Sequence, residues 1–243
     1  MVMKRERNRD AFPWEQLGVL RMPMPWHKAE LRGDGRELVI CLHGLWRSKW
    51  AMEPIARQCI KSGFSCLNVP YPSFKESLGE MVERLDGIVR KEGAGYEKVH
   101  LVTHSLGGVI ARRYLETCEH SRCEKVLMIA PPLHGSKIID WLSGSPLRKV
   151  LGPAGEFLST ESMAHESGVI AHDVNAAVIM GDRVKIPLLH HVIDEESDGI
   201  VRVDAGRVGG LSDFKVVHAD HTFITSHPDV LESVDCFLRR GKL

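Results

Sequence analysis

Val99-His100-Leu101-Val102-Thr103-His104-Ser105-Leu106-Gly107-Gly108 is the stretch on which the fold of this 243-residue chain turns. Val99 to Val102 read as a short strand buried on both faces. After Ser105 the period changes, and Leu106, Val109, Ile110 and Tyr114 fall on one face of a helix. A strand that passes so abruptly into a helix leaves Ser105 on a sharp turn, in strained backbone geometry, with its hydroxyl raised above the strand end. Residues two positions to either side must be small, because they meet the adjoining strand and helix. Gly107 meets that need. Thr103 stands where Gly or Ala is usual, so the turn is expected to absorb some crowding. A serine capping a helix would explain Ser105 alone, but not strand, turn, Gly-Gly pair and helix in series.

Outward from this centre, apolar runs recur at Leu38–Leu42, Cys66–Val69, Val126–Ile129, Ala177–Met180 and Phe214–Val217. Helical patterns alternate with them: Met52, Ile55, Ala56, Cys59 and Ile60, then Met81, Val82, Leu85, Ile88 and Val89, and finally Val230, Leu231, Val234, Phe237 and Leu238. Pro54 and Pro228 suit first turns, Ser73 and Glu76 have capping-box spacing, and Gly93 offers a stop. Strand and helix in alternation imply an α/β fold, a mostly parallel sheet with helices on both faces. Two regions break the rhythm. Residues 1–36, with Pro13, Pro23, Pro25 and the turn Gly33-Asp34-Gly35, read as an extended lead-in with a hairpin onto the Leu38 strand. Residues 37–243 form the main domain. Within it, residues 131–175 carry helical patches at Ile138–Leu142 and Leu147–Leu151 and are expected to form a small cap insertion above the strand ends.

Composition narrows the classes of function. With 43% apolar and 26% charged residues the chain has enough apolar material for a core without staples. The 32 Lys and Arg cancel the 32 Asp and Glu, so no basic surface calls for nucleic acid. The six cysteines lie mostly in apolar segments with no C-x-x-C pair, which reads as reduced core thiols in a cytoplasmic compartment. The N-terminus lacks the apolar run of a signal peptide. The charge-free stretch at the apolar centre, Val99 to Ala111, is short of the ~18 residues that span a bilayer. A soluble protein with no transmembrane segment is expected.

His43-Gly44-Leu45 follows the Leu38–Leu42 strand directly. Hydroxyl attack on a carbonyl creates an oxyanion that needs backbone N–H donors, and Gly44 lets the chain turn so that the Leu45 amide faces it. The Leu106 amide, at the start of a helix, is the expected second donor. His43 reads as a loop-shaping residue rather than a base.

With these motifs, and with Asn68-Val69-Pro70-Tyr71-Pro72-Ser73, Ala130-Pro131-Pro132-Leu133-His134-Gly135-Ser136, Gly181-Asp182-Arg183, Asp198-Gly199-Ile200-Val201 and Asp220-His221-Thr222-Phe223, the chain resembles the α/β-hydrolase superfamily over about residues 38–240. Within it the likeness is to small bacterial lipase- or esterase-like serine hydrolases. That resemblance implies an α/β-hydrolase fold and a triad in the order serine, acid, histidine, needing no cofactor and no metal. Ser105 would be the nucleophile, His221 the base and Asp198 the residue that holds the imidazole. Asp182, Asp194 and Asp204 are rival acids. Asp198 is preferred because Asp198-Gly199 can turn a carboxylate inward, whereas a turn and a charge pair would explain Asp182.

Other readings stand beside this one. His218, Asp220, His221 and His227 could hold a metal, although no Cys lies nearby and the spacing fits no common zinc pattern. His190-His191 reads as filler. Trp46, Trp50, Trp141, Phe157 and Met163 are core residues or an acyl pocket. The expected function is hydrolysis of a carboxylic ester, small-molecule or lipid, through an acyl-enzyme. A thioesterase or acyltransferase would use the same triad, and a non-catalytic ligand-binding protein could share the fold. Substrate and oligomeric state are not encoded in these patterns.

Overall fold

A computed structural model of the chain describes residues 28–118, 123–146, 148–164, 170, 174–184 and 195–243. Among these residues seven strands make one sheet: β1 (Glu30–Arg32), β2 (Leu38–Leu42), β3 (Ser65–Val69), β4 (Val99–His104), β5 (Cys123–Ile129), β6 (Asn175–Gly181) and β7 (Asp213–Val217). Their order is β1-β3-β2-β4-β5-β6-β7, parallel throughout except for antiparallel β1. The helices are α1 (Glu53–Lys61), α2 (Leu78–Gly93), α3 (Leu106–Thr117), α4 (Lys137–Ser143), α5 (Arg148–Phe157), α6 (Thr160–Met163) and α7 (Pro228–Arg240). All six expected strands and the four expected helices after β2, β3, β4 and β7 are present.

The side-chain period of two sorts each strand between two cores. Leu38, Ile40 and Leu42 of β2 join a cluster with residues of α2 and α3, whereas Val39 and Cys41 join one with residues of α1 and α7. Strands buried on both sides carry apolar residues on both faces, which is why β2, Leu-Val-Ile-Cys-Leu, reads as a continuous run. The parallel arrangement brings the C-terminal ends of β2, β4, β6 and β7 to one edge of the layered core, where loops can converge on a site.

Two local expectations are corrected. The segment after residue 28 does not form a hairpin onto β2. Instead β1 pairs with β3, Arg32 opposite Cys66 and Glu30 opposite Asn68. β2 already lies between β3 and β4 and has no free edge, whereas β3 offers the side turned away from β2. The capping box of α2 is Ser77 with Glu80, not Ser73 with Glu76. Ser73 is buried and its hydroxyl accepts from the Trp46 amide at 3.1 Å, while Glu76 pairs with Arg84. Pro13, Pro23, Pro25, Leu147, Asp194 and the His190-His191 pair lie outside the described residues.

Residues 131–164 build α4 to α6, in the region expected to form the cap. They are tied to the loop between β6 and β7. The Ser136 hydroxyl donates to the Ile200 carbonyl at 2.7 Å, the His134 amide to the Ala205 carbonyl at 3.1 Å, and Lys137 pairs with Glu195 at 2.6 Å.

Candidate active site

Ser105 joins β4 to α3 with φ 54° and ψ −121°. A non-glycine residue in this region costs of order 1–3 kcal/mol, so the surrounding structure must enforce it. The Ser105 amide donates to the Ile129 carbonyl at 2.9 Å, and its carbonyl accepts from the Gly108 amide at 2.8 Å. A side chain at Gly107 would place a Cβ 2.7 Å from the Leu42 carbonyl oxygen, closer than real contacts allow. Thr103, the departure from the usual small residue, is fully buried and its Oγ1 has no hydrogen-bond partner. A buried hydroxyl left without a partner costs about 1–3 kcal/mol.

Three side chains from separate elements meet here. The Ser105 hydroxyl donates to His221 Nε2 at 3.0 Å, and His221 Nδ1 donates to Asp198 Oδ2 at 2.6 Å. Asp198 is almost wholly buried, and its Oδ1 accepts from the amides of Ile200 at 3.0 Å and Val201 at 2.8 Å. The turn that aims it inward passes through Gly199 at φ 93°. A backbone bond from the His221 amide to the Asp198 carbonyl, 3.1 Å, fixes the two loops to each other. A carboxylate with two amides on one oxygen and an imidazole on the other is held in one orientation, and it in turn fixes the imidazole tautomer.

The His43–Leu45 loop lies against this serine. A Cβ built on Gly44 would fall 2.9 Å from Ser105 Cβ. The His43 ring is buried and stacks on Tyr71 with centroids 4.2 Å apart. Its Nδ1 donates to the Gly44 carbonyl at 2.9 Å, and its Nε2 accepts from the Tyr71 amide at 3.4 Å. Burial pushes its pKa down to about 4, so the ring is neutral and shapes the loop, as expected from sequence. The Tyr71 hydroxyl donates to the His43 carbonyl. Among the described residues neither the Leu45 nor the Leu106 amide has an internal acceptor, which leaves both available to a ligand oxygen.

His104 is a participant that sequence reasoning passed over. It is buried, its Nε2 donates to the His221 carbonyl at 3.0 Å, and the two rings lie 4.9 Å apart. Burial, followed by the adjacent His221, pushes its pKa well down. The only signal for it was its place beside Ser105. Ser73 and Tyr71, which brace the loop after β2, were legible only as a motif after a strand end.

The rival residues find other partners. Asp182 accepts from His218 Nδ1 at 2.9 Å, Asp220 Oδ1 accepts from the amides of Thr222 and Phe223, and His227 caps α7. Asp204 pairs with Arg202. The four side chains of the metal reading are therefore engaged separately. Of the pocket candidates, Trp46 and Trp141 are 47% and 55% exposed, whereas Phe157 is half-buried and Met163, at 3%, belongs to the core.

The sequence model of the alpha/beta hydrolase family matches residues 39–233. The chain belongs to the alpha/beta hydrolase family. Similar solved structures include the mature lipase BlEst2 of Bacillus licheniformis, with TM-score 0.70, 18% identity and coverage of 88% of this chain and 97% of that one. An esterase of Pyrococcus furiosus has TM-score 0.59 and 20% identity over 85% of this chain and 82% of its own. A monoacylglycerol lipase of Paleococcus ferrophilus has TM-score 0.57 and 15% identity over 87% and 96%. No relative was found among curated proteins. At these identities the likeness shows a shared alpha/beta hydrolase fold. Among the described residues, no helix is long and apolar enough to cross a membrane.

Proposed function

We propose that this alpha/beta hydrolase cleaves carboxylic esters through an acyl-enzyme, with Ser105 as nucleophile. The observation that carries this reading is the hydrogen-bonded series from Ser105 Oγ through His221 to buried Asp198, at 3.0 and 2.6 Å. As Ser105 attacks, His221 Nε2 takes its proton, and Asp198 stabilises the imidazolium that forms. The carbonyl oxygen, now an anion, accepts from the amides of Leu45 and Leu106, donors fixed in place before the charge develops. His221 returns the proton to the leaving alcohol, and water repeats the sequence to free the acid. Trp46 and Trp141 offer apolar surface for the acyl chain of a small-molecule or lipid ester. The free cysteines support a reducing, cytoplasmic setting.

The test is a fluorophosphonate probe followed by peptide mapping, with nitrophenyl esters of graded chain length as substrates. Label is expected at Ser105 alone, and Ser105→Ala should lower turnover roughly 10⁴-fold or more. Undiminished turnover in Ser105→Ala would sink the serine mechanism. Thioesters and added alcohols in the same panel separate thioesterase and acyltransferase activity from plain ester hydrolysis.

A further inference from the structure

Cys41, Cys59 and Cys66 come from three elements, β2, α1 and β3, yet their sulfurs all lie within 4.8 Å of one another, with Cys41 and Cys66 at 3.6 Å. The strand register explains two of them. Val39 pairs with Cys66 and Cys41 with Asn68, so the two cysteines sit diagonally on one face of the sheet. Cys59 belongs to the same buried cluster from the helix packed over that face. All three are unbridged and fully buried, among Val39, Ile55 and Ala56.

We infer that Cys41, Cys59 and Cys66 form a three-thiol site for a trivalent thiophilic metalloid of the arsenite class, clamped between α1 and the sheet. Soft sulfur ligands select soft centres. Ligand number and charge then decide among them. Zinc favours four ligands, and this group has three members among the described residues. A divalent ion with three thiolates would carry net negative charge into an apolar interior, which is costly without a counter-charge. Arg32, opposite Cys66 on β1, is already matched by a two-pronged bond to Glu53 at 2.9 and 2.7 Å. Arsenite avoids both difficulties. As(OH)₃ and three thiols give a neutral As(S)₃ centre and three waters. Three As–O bonds break, three As–S bonds form, each thiol proton leaves on a hydroxyl, and no oxidation state changes.

The experiment uses a full-length protein in which Cys118→Ser, Cys123→Ala and Cys236→Ser leave only the three clustered thiols. Incubations are long, because entry waits on local opening of α1. After incubation with sodium arsenite and gel filtration, bound arsenic is measured per chain, with the mass gain of one arsenic less three hydrogens as confirmation. One arsenic per chain is expected. The thermal midpoint should rise about 5–10 °C when arsenite is at a hundred times its dissociation constant. Cys59→Ala in this background should weaken binding roughly 10²-fold or more, since only two arms remain, and Cys66→Ala serves the same purpose if that variant does not fold. No uptake by the folded three-thiol protein, equal uptake by Cys59→Ala, or tighter binding of cadmium than of arsenite would each overturn the inference. Arsenic content and unfolding, not ester turnover, are read, so the outcome is independent of the proposed activity.

Discussion

Acid should loosen this protein through His43, and the size of the effect can be worked out beforehand. The neutral ring donates from Nδ1 to the Gly44 carbonyl and accepts at Nε2 from the Tyr71 amide. A second proton would set two donors against each other at Nε2 inside a buried stack, and Arg47 adds like-charge repulsion to the burial penalty. The folded pKa is pushed from 6.5 down to about 4. Above the unfolded value neither state takes up a proton, and the contribution to stability is complete. Between 6.5 and 4 the unfolded chain binds a proton that the folded chain refuses, so stability falls as pH falls. At 1.36 kcal/mol per unit, the loss reaches about 3 kcal/mol by the lower end. His104 works in the same direction, so wild type alone cannot isolate His43. The assay is urea unfolding by far-ultraviolet circular dichroism, at fixed ionic strength from pH 7.5 to 4, for wild type and His43→Gln. The stability difference between the two should shrink by about 3 kcal/mol across the window. A difference that stays constant with pH would refute the assignment of a buried neutral imidazole.

Three further outcomes are expected. Asp198→Asn should keep the fold but lower ester turnover by a factor on the order of 10⁴, through the wrong imidazole tautomer, whereas Asp182→Asn, which loses only a bond to exposed His218, should leave turnover close to wild type; the reverse result in steady-state kinetics would move the acid. Thr103→Val removes a buried hydroxyl without a partner and should stabilise the protein by about 1 kcal/mol, seen as a rise of about 2–4 °C in thermal midpoint. Trp141→Ala should shift the preferred chain length in the nitrophenyl ester panel while leaving acetate turnover within about tenfold; an unchanged profile places the acyl chain elsewhere.

The strands were legible because a parallel sheet buries both faces, so β2, β4 and β5 announce themselves without reference to their neighbours. Ser105 was legible for a related reason, since the change of period and Gly107 are both local. What sequence could not supply was competition between remote groups. Ser73-x-x-Glu76 and Ser77-x-x-Glu80 fit the same cap pattern, and the second prevails because Ser73 is engaged by the Trp46 amide, 27 positions away. Likewise β1 was drawn toward its neighbour in sequence, although β2 had no free edge. The choice between Asp182 and Asp198 could be argued from turn chemistry, but the part played by His104 depends on a carbonyl that only the folded chain brings to it.

Among the described residues, the sheet's two outer strands bear on how the protein behaves when crowded. β1 is three residues long and carries Glu30 and Arg32, and at the far side β7 carries Asp213 and Lys215. Asp213 also holds Leu243 by accepting from its amide at 2.9 Å, and the Arg207 guanidinium lies 3.8 Å from the Phe214 ring centroid. A second copy seeking to lengthen the sheet by strand addition meets a rim that is short on one side and charged on both, the arrangement by which exposed ladders avoid aggregation. The apolar strands that make the core so easy to read are thereby kept from recruiting their counterparts in other molecules.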